Sequence, residues 1–499
     1  MACKLVSVTV RTITCIHPNR FRWVYCQLEA LRHCFPGRVR YMLKELPELL
    51  DETYERILRE INKANREQAH RLLQCLTVAV RPLRVAELAE VLAVDFGTTS
   101  GSKASKLETD WRWEDQEDAI LSTCSSLITI VDEGEDASRV LRSSHPHGSR
   151  AVQFSHFSVK EFLTSPRLST SNPDVSRFHI LMAPAHLNMA RACLGTLLRL
   201  DDISDKNDIK VRFPLARYAV EHWVTHAQFE DVPSYVREGM QLLFDPDEPY
   251  FSTWIQIYDI DVRPTSGSTF SWFSVLAKSN AAPLYYAALC GFHDLVEHLI
   301  NPQEVNIIGG RYVSPLVAAL AMEHFEVAEL LYQHGAHVDV RGFEQYTPLC
   351  NASHVGHLEI VQWLLRHGAD PNLWDEDGRT ALYQATRFGK LEVAQTLLHH
   401  NADPNIQDND GKIPLHGASE NGKHEVVRLL LEQGVDVNAR SEDSSTPLHL
   451  ASIYGELKVA RVLIEHGADR GAEDKRGRTP FQVAGDGHMA EFLSDHGSE

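Results

Sequence analysis

A step that returns every 33 residues governs the second half of this chain. Aligned on Pro283, Pro315, Pro348, Ala381, Pro414, Pro447 and Pro480, the spacing is 32 residues once and then 33 throughout. A chain with this period does not gather one compact core. Each unit has to bury its apolar face against the next, so the product is a stack. The pieces have mechanical reasons. Thr347-Pro348-Leu349 and Thr446-Pro447-Leu448-His449-Leu450-Ala451 place a capping hydroxyl before a helix and proline at its first position, where no N–H is missed. Gly356, Gly389, Gly422 and Gly455 stand where that helix ends in a left-handed backbone. In the second unit His324 is read in that slot. A second helix, such as Leu358–Arg366, closes at Gly368 or Gly434, with Asn401 taking the place in the fourth unit, a position that asparagine tolerates.

These steps, together with Gly422-Lys423-His424-Glu425-Val426-Val427, Gly368-Ala369-Asp370-Pro371-Asn372 and Gly467-Ala468-Asp469, resemble the ankyrin repeat. The resemblance implies an α-solenoid of about seven units over 281–499. Its first unit (282–300) and last (479–496) depart from the pattern, as repeats with one neighbour do. It also implies that His416 and His449 tie adjacent loops together by hydrogen bonds.

Before residue 281 the pattern changes. Leu43, Leu46, Leu49, Leu50, Tyr54, Ile57, Leu58 and Ile61 fall at three- and four-residue steps, which predicts a helix over 40–65. Two shorter helices, Gln68–Val80 and Val85–Val94, flank Arg81-Pro82. After the loop Gly97–Ser105 come a helix (Glu117–Ser125) and two strands (Ser126–Val131 and Val152–Ser155). Three helices followed by a two-stranded wing is a winged-helix order. Arg81–Leu92 and Phe154–Leu163 resemble the winged helix of GPI inositol-deacylase type that follows the NACHT domain in fungal NLR-like proteins. Arg20–Leu31 is similar to the final helix of that NACHT domain, Leu46–Leu58 to the segment that leaves it, and Pro214–Trp223 to the helical linker before the ankyrins. The fold class implied is mainly α, a winged-helix and helical linker domain followed by an ankyrin-repeat α-solenoid. Residues 1–64 would be exit helices of a NACHT domain, 65–170 the winged helix, 171–280 the linker and 281–499 the repeats. Residues 1–19 lie outside the resemblance and are read as a truncation or a misplaced start.

No chemistry-bearing constellation emerges. A NACHT domain holds nucleotide with G-x-x-x-x-G-K-[ST]. The nearest string, Gly97-Thr98-Thr99-Ser100-Gly101-Ser102-Lys103, has three residues between its glycines. No nucleotide, other cofactor or turnover of ATP or GTP is therefore expected. There is no G-x-S-x-G elbow. His222 and His226 have a spacing zinc can use, but Trp223 stands where a metalloprotease needs glutamate, so both are read as structural and no metal site is expected. Nine scattered cysteines without C-x-x-C read as reduced thiols of a cytoplasmic protein. No run of 18 apolar residues and no signal-peptide pattern is present. The candidate recognition helix around Glu114–Thr123 carries Glu114, Asp115, Glu117 and Asp118 and no Lys or Arg, which argues against nucleic acid.

Binding remains. The chain carries 49 basic and 68 acidic residues, a net charge of −19, of which −16 falls beyond residue 280 (16 basic, 32 acidic). That excess fits a protein partner with a basic face. Exposed loop tips and the outward side of each first helix are expected to form the patch: Phe343, Tyr346, Trp374, Asp375, Asp377, Arg379, Gln384, Arg387, Phe388, Asp408, Asp410, Glu420, Arg440 and Tyr454. Aromatic anchors among charges are what such a patch requires. Trp374 is the leading single residue, since a turn tryptophan buries little without a partner. The resulting reading is an interaction adaptor, the sensor part of an NLR-like protein lacking its NTPase motif. The alternatives are a substrate-recruiting subunit for an enzyme on another chain, or a truncated gene product without function.

Overall fold

The structure, a computed structural model of the chain, describes residues 50–93, 116–124, 126–132, 150–200, 213–258, 260–261, 281–342, 345–485 and 487–495. The Arg20–Leu31 segment, the first ten residues of the expected 40–65 helix and the Gly97–Lys103 string lie outside them. The contacts divide the chain into two compact units, 1–260 and 261–499.

In the first unit, helix α1 (Leu50–Glu60) buries Tyr54 and Leu58. A short 3-10 turn, capped where Asn62 Oδ1 accepts from Ala64 N at 3.1 Å, leads into α2 (Arg66–Val78). Strand β1 (Leu83–Arg84), α3 (Val85–Leu92), α4 (Gln116–Cys124), β2 (Ile128–Asp132) and β3 (Arg150–Phe154) complete the winged-helix region. The sheet has three antiparallel strands in the order β1-β3-β2, with Leu83 opposite Val152 and Ile130 opposite the same residue. The expected two-stranded wing thus gains β1. Two residues after a proline are too few to show alternation. Glu117, Asp118 and no basic residue lie on α4, and Glu117 is paired with Arg150.

Two glutamates of α3 face inward, each with a side chain only 2% exposed. Glu87 accepts two bonds from Arg81, at 2.7 and 2.8 Å, and one from Arg84 N at 2.8 Å. Glu90 accepts from Leu215 N at 2.6 Å and from Arg199 at 3.4 Å. Leu215 precedes helix α9, which packs on α8; between β3 and these lie α5 (Phe157–Thr164), α6 (Pro166–Ser169) and α7 (Pro173–Ser176), and the pair itself is α8 (Met182–Leu197) and α9 (Ala216–Ala227). After them, α10 (Val232–Leu243) and α11 (Tyr250–Ile257) enclose Trp223, Phe244 and Trp254, whose rings stand 5.2–6.2 Å apart.

His222 meets the Tyr218 ring edge-on at 4.8 Å and His226 is tied in by hydrogen bonds. His226 Nδ1 meets His186 Nδ1 at 3.0 Å and its Nε2 meets Tyr218 Oη at 2.8 Å. Val80 N donates to that phenol oxygen at 3.1 Å. Burial, then the neighbouring His186 and His222, push His226 down to about 3. A histidine held neutral when folded but ionising near 6.5 when unfolded stabilises the fold fully above that pH. The contribution is lost as the pH falls below about 6.5 toward 3. The melting temperature of the first unit should therefore drop between pH 7.5 and 5, with a shallower slope in His226→Gln; equal slopes would count against this.

The second unit is a row of helix pairs: α12 (Pro283–Leu289) with α13 (His293–Leu299), α14 (Pro315–Ala321) with α15 (Phe325–Gln333), α16 (Pro348–Val355) with α17 (Leu358–Arg366), α18 (Ala381–Arg387) with α19 (Leu391–His399), α20 (Pro414–Glu420) with α21 (His424–Glu432), and α22 (Pro447–Ile453) with α23 (Leu457–Glu465). Thr347 and Thr380 cap α16 and α18 by accepting from Cys350 N and Tyr383 N. Gly356, Gly389, Gly422 and Gly455 all have positive φ, as does Asn401 at 62°. The assignment of His324 to the glycine slot is corrected. Glu323 occupies it, at φ 61°, and His324 precedes α15. The last unit also differs from expectation: around Pro480 the chain makes a turn, and only its second helix, α24 (Gly487–Asp495), forms. At the other end, Asp261 accepts from Tyr285 Oη at 2.8 Å and from Arg311 N at 2.5 Å, so the stack reaches back before residue 281.

Asparagines at one repeat position join successive units. Asn306 accepts from His337 N and donates to the Gly335 carbonyl at 2.9 Å; Asn372 and Asn438 make the same pair of bonds. Asp339 holds this position one unit on from Asn306. Its Oδ2 accepts from Asp370 N at 3.2 Å, while its buried Oδ1 has no hydrogen bond. A carboxylate cannot make the donation the amide makes, and burial raises its pKa. Asp339→Asn should therefore stabilise the array by about 1 kcal/mol at pH 7. A raised carboxyl pKa favours the folded state in acid, so this advantage should shrink as the pH falls from 7 and be gone by pH ~4. Denaturant titrations at the two pH values check it, and a destabilised variant at pH 7 would contradict it.

Candidate protein-interaction surface

Between repeats the chain folds into hairpin fingers whose first carboxylate is used internally. Asp375 Oδ1 accepts from Asp377 N and Arg379 N at 3.0 and 2.9 Å, while Asp375 N donates back to the Arg379 carbonyl. Asp408 repeats this with Asp410 N and Lys412 N, and Asp474 with Arg476 N and Arg478 N. Ser441 and Asp443 take the role in the finger between. Neighbouring fingers are linked by one backbone bond each, from Asn409 N to the Asp377 carbonyl, Glu442 N to Asp410 and Lys475 N to Asp443, all 2.9 Å.

This geometry sorts the expected surface residues. Asp375 and Asp408 were expected at exposed tips and are buried instead, because they cap the turns from within. Gln384 is also buried: its Nε2 donates to Asp375 Oδ2 at 2.8 Å and to Tyr346 Oη at 3.1 Å. All three are corrected. Recurrence of Asp before x-Asp-Gly at one repeat position is the signal that marks a turn cap. Phe343 lies outside the described residues. Tyr346, Arg379, Arg387 and Glu420 are half-buried, and burial, then Asp375, push the Tyr346 phenol up to about 12. Asp377, Asp410 and Arg440 are exposed. Arg440 donates to the Glu473 carbonyl at 3.1 Å, as Arg341 does to that of Trp374 at 3.2 Å.

The aromatics stand out on the same repeats. Trp374 is 53% exposed with the Arg341 guanidinium 6.0 Å from its ring, Tyr454 is 55% exposed and Phe388 39%. Phe388 meets His354 edge-on at 4.1 Å and has Arg387 at 5.6 Å. The Glu420 carboxylate beside Tyr454 raises that phenol, and Lys412 lies 3.5 Å from Glu420. His416 and His449 bridge loops as expected, to the Ser445 and Arg478 carbonyls at 3.1 and 2.9 Å.

Comparison with known proteins agrees with this geometry. Residues 339–408, 371–441, 398–474 and 415–499 match a family model described as ankyrin repeats (3 copies). The C-terminal region is built of ankyrin repeats. Residues 55–173 match the GPI inositol-deacylase winged helix domain. The chain is also similar to a Monascus ruber protein named "Azaphilone pigments biosynthesis cluster protein L", 32% identical over 311 residues. The match covers 59% of this chain and 61% of that protein, so the chain spans about three fifths of that relative's length. Ankyrin repeats support a protein-interaction role. Among the described residues, His293, Asp294 and Glu297 bring ligating atoms within 4.8 Å of one another, but all lie on the short α13 and His293 and Glu297 face solvent. No helix among the described residues is long and apolar enough to cross a membrane.

Proposed function

We propose that this chain is a protein-binding adaptor and that its ankyrin region, over the fingers and first helices of 341–454, takes a partner with a basic face. The carrying observation is three exposed aromatics, Trp374, Phe388 and Tyr454, on repeats whose fingertips present Asp377 and Asp410. Buried on association, such rings supply the energy, while the charges select the partner. In this reading the chain performs no reaction and binds no nucleotide. It acts as the sensor part of an NLR-like protein, in the cytoplasm. A second reading, recruitment of substrate to an enzyme on another chain, is favoured by the Monascus relative being named for a biosynthesis cluster. Panning the full chain against a random dodecapeptide library tests the surface. Selected peptides should be rich in Lys and Arg, and an Asp377→Lys/Asp410→Lys variant should retain few of them. Selection without basic enrichment overturns the proposal.

A further inference from the structure

Arg379 sits between two carboxylates and satisfies one. Its Nη1 pairs with the exposed Asp377 Oδ2 at 2.5 Å. On its other side the Asp408 side chain is 2% exposed, and Asp408 Oδ2 lies 3.9 Å from Arg379 Nε. Neither that oxygen nor that nitrogen makes a hydrogen bond, although both are buried. The preceding repeat shows what is missing. There Asp375 Oδ2 receives the Gln384 amide at 2.8 Å, whereas one period on from Gln384 stands Gly417, which offers no donor. The Tyr383 ring fills the space over Gly417, with its hydroxyl toward the Asp408 carboxylate, and lies 5.7 Å from the Arg379 guanidinium. An unpaired buried carboxylate oxygen is costly, and an arginine already held by burial beside it can relieve that cost.

We propose that Arg379 is an exchangeable latch. A lysine or arginine side chain of the partner takes Asp377 at the fingertip, and the displaced guanidinium closes onto Asp408. The fingertip carboxylate is thus free for a basic partner without leaving Arg379 unpaired, so Asp408 strengthens binding as a positioning residue that the partner does not touch. This rests on the basic-partner reading above.

The test uses fluorescein-labelled hexa-arginine titrated against the full chain by polarisation, with Tm followed for each variant. Asp408→Asn keeps the Oδ1 acceptor of the finger and removes the charge that receives Arg379. It should weaken binding about fivefold, while Glu425→Gln, the same change of net charge on α21, should change it less than twofold. Arg379→Gln removes the competitor and should tighten binding. In that background Asp408→Asn should have little further effect. If wild type binds and Asp408→Asn matches Glu425→Gln, or its fivefold loss persists undiminished beside Arg379→Gln, the latch is overturned while the basic-partner reading stands. No saturable binding by wild type overturns both.

Discussion

Glu90→Ala is expected to cost the first unit about 3–5 kcal/mol, the usual penalty for removing one member of a buried hydrogen-bonded charge pair. The carboxylate reaches from α3 to Leu215 N at the entry to α9 and to Arg199 just beyond α8. Alanine takes both acceptors away in a place that water does not reach. Hydrogen exchange of peptides from 182–197 and 216–227 under increasing urea reads the loss where it falls. Glu90→Gln, which keeps an acceptor without the charge, should lose less. A midpoint for the alanine variant within about 0.5 kcal/mol of wild type would show that burial of this glutamate is incidental.

Gly417→Leu carries the second large effect. A Cβ built at Gly417 already meets the Tyr383 ring at 3.3 Å, so a leucine there overpacks a dense site, at roughly 1–3 kcal/mol or more. One period on, the equivalent residues are His416 and Leu450, a smaller ring with a larger neighbour, and both are buried. The double variant Tyr383→His/Gly417→Leu rebuilds that pair and should recover most of the loss. Denaturant titration of the four proteins gives the coupling, expected at 0.5–3 kcal/mol for residues in contact. Additive losses would mean that ring and glycine do not compensate one another.

The repeat was legible because each step has a local cause: a capping hydroxyl, a proline, a glycine with positive φ. The winged-helix order was legible from periodicity, except β1, whose two residues show no alternation. Other features needed three dimensions. The spacing of Glu87 and Glu90 in α3 does not reveal that both point inward, because an amphipathic helix places glutamates outside by default. Asp375 and Asp408 looked like solvated tips for the same reason. Asp339 and the Tyr383–Gly417 pair become visible only beside the equivalent residues of neighbouring repeats.

Calorimetric titration of the full chain with the tightest library-selected peptide tests the proposed surface most directly. A variant with Trp374→Ala, Phe388→Ala and Tyr454→Ala, at unchanged Tm, should bind at least about a hundredfold more weakly, as loss of several anchors requires. Affinity within threefold of wild type would contradict an interaction surface on these repeats.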